Sequence, residues 1–176
     1  MYIESAGLVI RNAGAEDAEI LCAWWNDGEV MRHAGFPNGL GTTAEKIRES
    51  LKNDSDETHR RHIIALDAVP IGEMNYRNKG GKTAEIGIKI CDTSKQNHGL
   101  GTKILRLFIQ SLFADYGYEK IVLDTNLKNE CAQHVYEKIG FEKTGITIDS
   151  WKNQIGELQS AVYYALEAGD FIPPKK

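Results

Sequence analysis

A single segment near the middle of the chain constrains the fold most strongly. The β-rich run Thr83–Ile90 leads through a polar loop to Gly99 and Gly101, where a strongly amphipathic helix begins. The first backbone N–H groups of a helix have no intrahelical acceptors, and they lie at the positive end of the helix dipole. A Cβ at either glycine would hold an anion away from these amides. The segment therefore predicts an anion site that suits a pyrophosphate.

Two common phosphate motifs do not fit this segment. A dinucleotide-binding fingerprint needs a third glycine where Ile104 stands, and a P-loop needs a Gly-Lys-Ser/Thr ending that Gly101, Thr102 and Lys103 do not supply. By itself, the Gly-x-Gly pattern is equally typical of an ordinary loop-to-helix turn. A phosphate function therefore needs a second signal elsewhere in the chain.

The hydrophobic period along the chain alternates between helical and strand-like. Helices are predicted over 15–26, after Thr42 or Thr43, from Gly99, and from the capping residue Asn129 to Ile139, where Gly140 can take a left-handed conformation. Strands are predicted over 8–11, 62–66, 71–77, 83–90, 120–125, 141–148 and 158–166. This order predicts an α/β fold, a mixed sheet with helices packed on its faces.

Composition limits the class of protein. The 176 residues suffice for one well-buried core, which predicts a single domain over 1–176. A formal net charge of -4 argues against nucleic acid as a partner and favours a cationic substrate. No apolar run is long enough to span a membrane, and Glu4 interrupts the stretch where a secretory signal would be uninterrupted.

The cysteines and histidines indicate a reducing location and no metal. Cys22, Cys91 and Cys131 form an odd set without CxxC spacing, which suggests neither a disulfide framework nor a zinc site. The five histidines have no partners at metal-ligand spacing. We therefore expect a cytoplasmic protein without a metal.

The second signal lies about thirty residues after the glycines. Residues 129–141 read Asn-x-x-Ala-x-x-x-Tyr-x-Lys-x-Gly-Phe. Together with the Gln-x-x-Gly-x-Gly loop at 96–101, this segment resembles the GNAT superfamily of acetyl-CoA-dependent N-acetyltransferases. The resemblance covers about 71–145, the expected coenzyme-binding core. The stretches 24–33 and 151–153 also look like the branch that contains ribosomal-protein N-terminal acetyltransferases and some aminoglycoside acetyltransferases.

The resemblance implies a fold and a co-substrate. The fold would be a central, mostly antiparallel twisted sheet with a V-shaped splay between two parallel strands and helices on both faces. Acetyl-CoA would run its pantetheine arm beside Ile88, Lys89 and Ile90, and Asn129 matches the coenzyme-binding asparagine. The pyrophosphate would bind at Gln96, Asn97, His98, Gly99, Leu100, Gly101 and Thr102. Asn97 and His98 depart from the family, which often has basic residues there, so backbone N–H groups would contribute more.

The resemblance also implies catalytic roles. Tyr136 matches the tyrosine that protonates the departing thiolate, whereas its alternative is an ordinary helix residue with its hydroxyl at the surface. An attacking ammonium must lose a proton, and Glu85, Glu73 and Asp124 are the candidate bases, directly or through water. Each carboxylate could equally be a solvated strand residue.

The acceptor side of the site is less defined by sequence. Trp24, Trp25 and Phe36 are candidates to line the acceptor pocket with Glu73, although adjacent tryptophans could instead anchor the first helix to the sheet. Further candidates to bind a cationic acceptor are Asp27, Glu29 and Glu157.

The sequence predicts direct transfer in a ternary complex. Cys131 lies where a helix dipole could lower a thiol pKa, but no base stands nearby in sequence, so an acyl-cysteine is not expected. A non-catalytic acyl-CoA sensor or scaffold is the alternative class. A protein N-terminal amine, an aminoglycoside and a polyamine all stay open as acceptors, and a homodimer is a further expectation because sheet edges often pair.

Overall fold

The computed structural model describes residues 1–96 and 99–173. Within these ranges the strands are β1 (Tyr2–Ser5), β2 (Leu8–Asn12), β3 (His59–Leu66), β4 (Val69–Asn78), β5 (Thr83–Ile90), β6 (Lys120–Asn126), β7 (Glu142–Lys152) and β8 (Leu158–Glu167). They form one eight-stranded sheet in the order β1-β2-β3-β4-β5-β6-β8-β7. The pair β5–β6 is parallel and the other neighbours are antiparallel. The predicted mixed sheet with one parallel pair is confirmed.

The helices follow the predicted capping signals. They are α1 (Ala18–Asn26), α2 (Gly28–Met31), α3 (Ala44–Leu51), α4 (Leu100–Ala114) and α5 (Glu130–Ile139). Thr43 accepts a hydrogen bond from the Lys46 N–H at the start of α3, and Asn129 accepts one from the Ala132 N–H at the start of α5. Gly140 ends α5 at φ 115°, a left-handed conformation that favours glycine.

Helices cover both faces of the sheet. Consecutive strand residues point to opposite faces, and Ile63 and Ile64 of β3 accordingly belong to different apolar clusters. Ile63 packs in a cluster with Leu21 of α1 and Ile47 of α3. Ile64 packs in the larger cluster, which contains Phe108 of α4. The larger cluster lies beneath α4 and α5, so these two helices and the sheet enclose the main core. Among the described helices none is long and apolar enough to cross a membrane.

Strand β1 and helix α2 were not predicted from the sequence. β1 pairs with β2 through a two-residue turn in which Ala6 and Gly7 both have positive φ, 49° and 77°. Such turns match the twist of a hairpin, but they favour Asn-Gly or Gly-Gly, so Ala-Gly gives a weak signal. α2 has only four residues, and a single turn shows no hydrophobic period.

The turn between β3 and β4 is shorter than predicted. Asp67 to Pro70 reads as a turn in sequence, yet the turn holds only Asp67 and Ala68, with φ of 49° and 65°. Pro70 lies inside β4, opposite Ala65 at an irregularity in the register. Proline donates no hydrogen bond, and a bulge is one of the few sheet positions where this loss is tolerated.

A buried histidine in the main core makes stability depend on pH. His62 is fully buried between Tyr76 and Phe108, at ring-centroid distances of 5.7 and 5.1 Å, and burial lowers its pKa to about 3. The unfolded chain binds a proton below about pH 6.5 and the folded protein does not. The free energy of unfolding should therefore fall by about 1.4 kcal/mol per pH unit below pH 6.5.

The variant His62→Leu tests this dependence. Denaturant unfolding at pH 7.0 and 4.5 should show a smaller acid loss in His62→Leu than in the wild type. The same change at His134, which is exposed on α5, is the matched control and should leave the acid loss unaltered. The carboxyls of Asp17, Asp54 and Asp56 accept hydrogen bonds and have lowered pKa values. The stability that they contribute is therefore lost only as the pH falls below about 4, the ordinary pKa of an aspartate. Equal acid loss in all three proteins would contradict the explanation.

Candidate active site

The site begins where β5 and β6 separate. These parallel strands pair at only three positions, which end at Glu85 opposite Val122. Beyond that point β5 remains paired with β4 as far as Ile90, and β6 remains paired with β8 as far as Asn126. One backbone edge of β5 therefore faces a widening gap. This is the V-shaped splay that the resemblance implies.

A cleft of about 680 Å³ occupies this gap. It is lined from β5 by Ile88, Lys89 and Ile90, the residues expected beside a pantetheine arm. The exposed edge of β5 offers free backbone N–H and C=O groups, which an extended amide-bearing molecule can pair with as an added strand does.

The N-terminus of α4 opens into the same cleft. Gln96, Gly99, Gly101 and Thr102 line it. Gly99 holds the cap position at φ 74°, which favours glycine, and no side chain caps the first N–H groups of this fifteen-residue helix. An added Cβ at Gly101 would meet no atom within 4 Å, so a ligand can approach the amides closely. The local geometry fits a diphosphate.

The other three predicted phosphate residues are Asn97, His98 and Leu100. Asn97 and His98 lie outside the described residues. Leu100 packs partly against the main core and borders a shallower neighbouring groove. This groove carries two cations that the sequence analysis missed, Lys95 and Lys103. Their isolated positions in the sequence give no motif that could have identified them.

Helix α5 brings Asn129 and Tyr136 to the cleft. Both residues line it. Asn129 also bonds to Thr125 of β6, with a distance of 3.3 Å between Nδ2 and Oγ1, which ties the start of α5 to the splayed strand. The Tyr136 ring packs against Phe141 and Tyr164, with centroid distances of 5.8 and 5.6 Å. Burial, followed by the charge of Asp124, raises the pKa of Tyr136 well above its usual range. The phenol therefore keeps its proton at neutral pH.

The three candidate bases occupy different positions. Asp124 lines the cleft as an exposed residue, and partial desolvation, followed by the charge of Glu85, raises the pKa of its carboxyl. Glu85 does not line the cleft and pairs instead with Lys79, with 3.2 Å between Nζ and Oε2. Its position at the last paired residue before the splay explains why: Val122 of β6 is its neighbour there. The position of Glu85 argues against the predicted role as a base.

Glu73 is a buried carboxylate that also borders the cleft. It is 4% exposed, and its Oε1 accepts hydrogen bonds from Trp25 Nε1 at 2.8 Å and from Lys89 Nζ at 3.0 Å. The ion pair with Lys89 neutralises much of the charge of the Glu73 carboxylate. Trp25 therefore reaches the site indirectly, through Glu73.

Most of the other predicted acceptor residues do not line the cleft. Trp24 packs partly buried against the cluster of α1 and α3, which fits its alternative role as an anchor. Phe36 is half-buried in the loop after α2 and does not reach the cleft wall. Asp27 caps α2 by accepting the Glu29 N–H, and Glu157 accepts from Asn153 Nδ2 at 2.9 Å. Of these cationic-acceptor candidates only Glu29 borders the cleft.

Two walls of the acceptor end were largely missed in the sequence, which indicated only Glu29 among these residues. One wall is the stretch 28–34, which adds Arg32 and His33, and the other is Trp151 of β7. His33 is exposed at the cleft wall, and partial desolvation, followed by the charge of Arg32, lowers its pKa, which favours its neutral form. Cys131, in the first turn of α5, also borders the cleft. Among the described residues no group of three or more His, Cys, Asp and Glu side chains is arranged to hold a metal ion.

Comparison with known proteins agrees with this geometry. A family model described as an acetyltransferase (GNAT) domain matches residues 7–142. An aminoglycoside N(6')-acetyltransferase type 1 of Klebsiella pneumoniae is 26% identical over 151 residues, which cover 78% of this chain and 75% of the relative. A spermidine N(1)-acetyltransferase of Escherichia coli strain K12 is 28% identical over 138 residues, 77% and 73% of the two chains.

A solved structure has the same fold. It is the spermidine N-acetyltransferase of Vibrio cholerae in complex with CoA and spermine, with a TM-score of 0.83 and 20% identity, covering 94% of this chain and 98% of that one. The chain belongs to the GNAT acetyltransferase family, because the family model spans most of its length. The predicted resemblance is confirmed, and with it the class of enzyme, an N-acetyltransferase.

Proposed function

We propose that the protein transfers the acetyl group of acetyl-CoA directly to a primary amine in a ternary complex. One observation carries the proposal: the unpaired edge of β5, the uncapped N-terminus of α4 and the protonated Tyr136 face one cleft. Acetyl-CoA supplies an activated acyl thioester. The chain itself has to bind it, orient it and move two protons.

The coenzyme is held by backbone groups more than by charge. The amides at Gly101 and Thr102 receive the diphosphate, and the edge of β5 at Ile88 and Ile90 pairs with the pantetheine amides. A backbone N–H of β5 near Ile88 polarises the thioester carbonyl. Lys95 and Lys103, in the adjoining groove, supply positive charge for further phosphate oxygens.

Two side chains move the protons. The amine nitrogen attacks the thioester carbon after Asp124 has accepted a proton from the ammonium, directly or through water. The C–N bond forms and the C–S bond breaks, and Tyr136 donates its phenolic proton to the leaving thiolate. The second proton that the nitrogen loses as the amide forms passes to the Tyr136 phenolate, directly or through water, and restores the phenol. A raised carboxyl pKa suits Asp124 to this task, since a base with a pKa nearer neutrality accepts protons more readily. No covalent step through Cys131 is needed.

The acceptor is an amine on a cationic molecule. Glu29 and Asp124 give the acceptor end carboxylates that attract a cationic substrate. Polyamines, aminoglycosides and protein N-terminal amines all meet this description. Relatives named for aminoglycoside and spermidine acetylation support small cationic amines as the first acceptors to assay.

An acceptor panel tests the proposal against the sensor alternative. Purified protein with acetyl-CoA should release free thiol when spermidine, kanamycin or a peptide with a free N-terminus is added. A sensor would bind acetyl-CoA, as measured by calorimetry, but release no thiol with any amine. We also propose a cytoplasmic location and a homodimer, both of which are predictions from the sequence.

The variant Gly101→Glu tests the diphosphate site. The added carboxylate lies in open space at the first turn of α4, where a negative charge favours the helix, so the protein should stay folded. Like charges facing each other cost several kcal/mol, so the Kd for acetyl-CoA should rise roughly a hundredfold or more. Calorimetry measures this. Gly169→Glu adds the same charge in open space outside the cleft and should bind like the wild type. Unchanged binding by Gly101→Glu would contradict the site.

A further inference from the structure

The turn between β7 and β8 is hydrogen-bonded to the loop 28–41, which lies far away in the sequence. Gln154 makes three hydrogen bonds to this loop. Its backbone N–H donates to Gly35 O at 2.8 Å, its Nε2 donates to Gly39 O at 3.0 Å, and its Oε1 accepts from the Asn38 N–H at 2.9 Å. One side chain therefore satisfies two backbone groups of the loop at the same time.

The loop held by Gln154 carries one wall of the acceptor end. Most of the stretch 28–34 lines the cleft, through α2 and the turn that follows it. This stretch is too short to keep its position by itself, since a single helical turn is marginal without tertiary contacts. Its placement depends on the segments at its ends.

A second contact sets the distance between the two walls. Trp151 of β7 also lines the cleft, and its ring lies directly against Gly35. An added Cβ at Gly35 would collide with the Trp151 ring, and the φ of 95° also favours glycine there. The backbone at Gly35 therefore lies too close to the Trp151 ring for a larger residue to fit.

The base of the loop is closed independently of Gln154. The amide group of Asn26 forms a pair of hydrogen bonds with the backbone of Thr42, both at 2.9 Å. Leu40 N–H also donates to Trp25 O at 2.7 Å. Removing the side chain of Gln154 should therefore loosen the loop without opening its base or unfolding the protein.

We propose that Gln154 is a positioning residue that fixes the 28–34 wall against Trp151 and so sets the shape of the acceptor subsite. Gln154 does not line the cleft, so it acts through the loop and not on the reacting atoms. The inference rests on the proposed acetyl transfer. According to this proposal, binding of the amine depends on a contact between two segments that are distant in sequence, whereas binding of the coenzyme does not.

The variant Gln154→Met tests the proposal, because it keeps the length of the side chain and removes both of its hydrogen bonds. With spermidine and kanamycin as acceptors, the KM for the amine should rise roughly fivefold to thirtyfold, as expected for two lost hydrogen bonds. The KM for acetyl-CoA should stay within about twofold, because the coenzyme residues lie on other elements. Ile155→Ala is the matched control. This neighbouring side chain is 55% exposed, and both KM values should equal those of the wild type.

Amide hydrogen exchange supplies a readout that does not depend on activity. Peptides that cover 28–41 should exchange at least about threefold faster in Gln154→Met than in the wild type or in Ile155→Ala. Unchanged exchange, an unchanged amine KM, or an equal rise in both KM values would overturn the proposal. If the wild type acetylates neither amine, the proposed function fails for these acceptors, and the exchange result alone decides whether Gln154 orders the wall.

Discussion

Replacing Tyr136 with Phe is expected to lower kcat roughly a hundredfold to ten-thousandfold, the range typical of a lost general acid. The phenol is 7% exposed and protonated at neutral pH, and it faces the cleft where β5 and β6 part. A thiolate that leaves without a proton is a poor leaving group relative to a thiol. Phenylalanine keeps the ring contacts with Phe141 and Tyr164, so the core beneath α5 should stay packed.

Steady-state kinetics with an accepted amine measure this effect, and calorimetry with coenzyme A supplies the control. The Kd for the coenzyme should change by less than about threefold, because the contacts proposed for its diphosphate lie on α4. Tyr164→Phe is the matched variant. It removes a hydroxyl that bonds to Glu137 and does not line the cleft, and it should retain activity. Equal activity of Tyr136→Phe and the wild type would assign proton donation to another group.

Replacing Asp124 with Asn is expected to lower kcat/KM for the amine roughly a hundredfold or more and to remove the acidic limb of the pH profile. The carboxyl has a raised pKa, so its basic form appears only at a higher pH than for an ordinary aspartate. Activity should therefore rise with pH through that pKa in the wild type. The amide in Asp124→Asn does not titrate in this pH range, so the acidic limb should be absent.

Glu85→Gln is the control that separates the two carboxylates. Glu85 does not line the cleft, so its loss should leave the maximal rate within a fewfold of the wild type. Its charge raises the pKa of Asp124, so its removal should move the acidic limb to lower pH. A large loss of rate in Glu85→Gln together with full activity of Asp124→Asn would reverse the assignment.

The secondary structure around the proposed coenzyme site could be predicted because its information is local. Gly99 and Gly101 begin one helix and the Asn129 side chain caps another, and such local features leave a signature in the sequence. The same is true of Gly140, which ends α5 in the left-handed conformation predicted for it. The strand predicted over 83–90 could not reveal that Glu85 lies on the paired side of the splay, because the end of pairing depends on β6.

The acceptor half could not be predicted because it is made by contacts between distant segments. Trp151 meets Gly35, and Gln154 bonds to Asn38 across 116 positions of sequence. Trp25 has the helical spacing of a core residue, and only the structure reveals that its indole N–H bonds to Glu73. Neither the short helix α2 nor these pairings change the hydrophobic period, which is the main signal that a single sequence offers.

A crystal structure of the protein with coenzyme A tests the central claim most directly. We expect the diphosphate on the amides at Gly101 and Thr102, the pantetheine arm between β5 and β6 beyond Glu85, and the sulfur within about 3.5 Å of the Tyr136 hydroxyl oxygen, within hydrogen-bond reach. Coenzyme bound outside this cleft, or a sulfur atom more than about 6 Å from that oxygen, would contradict the account.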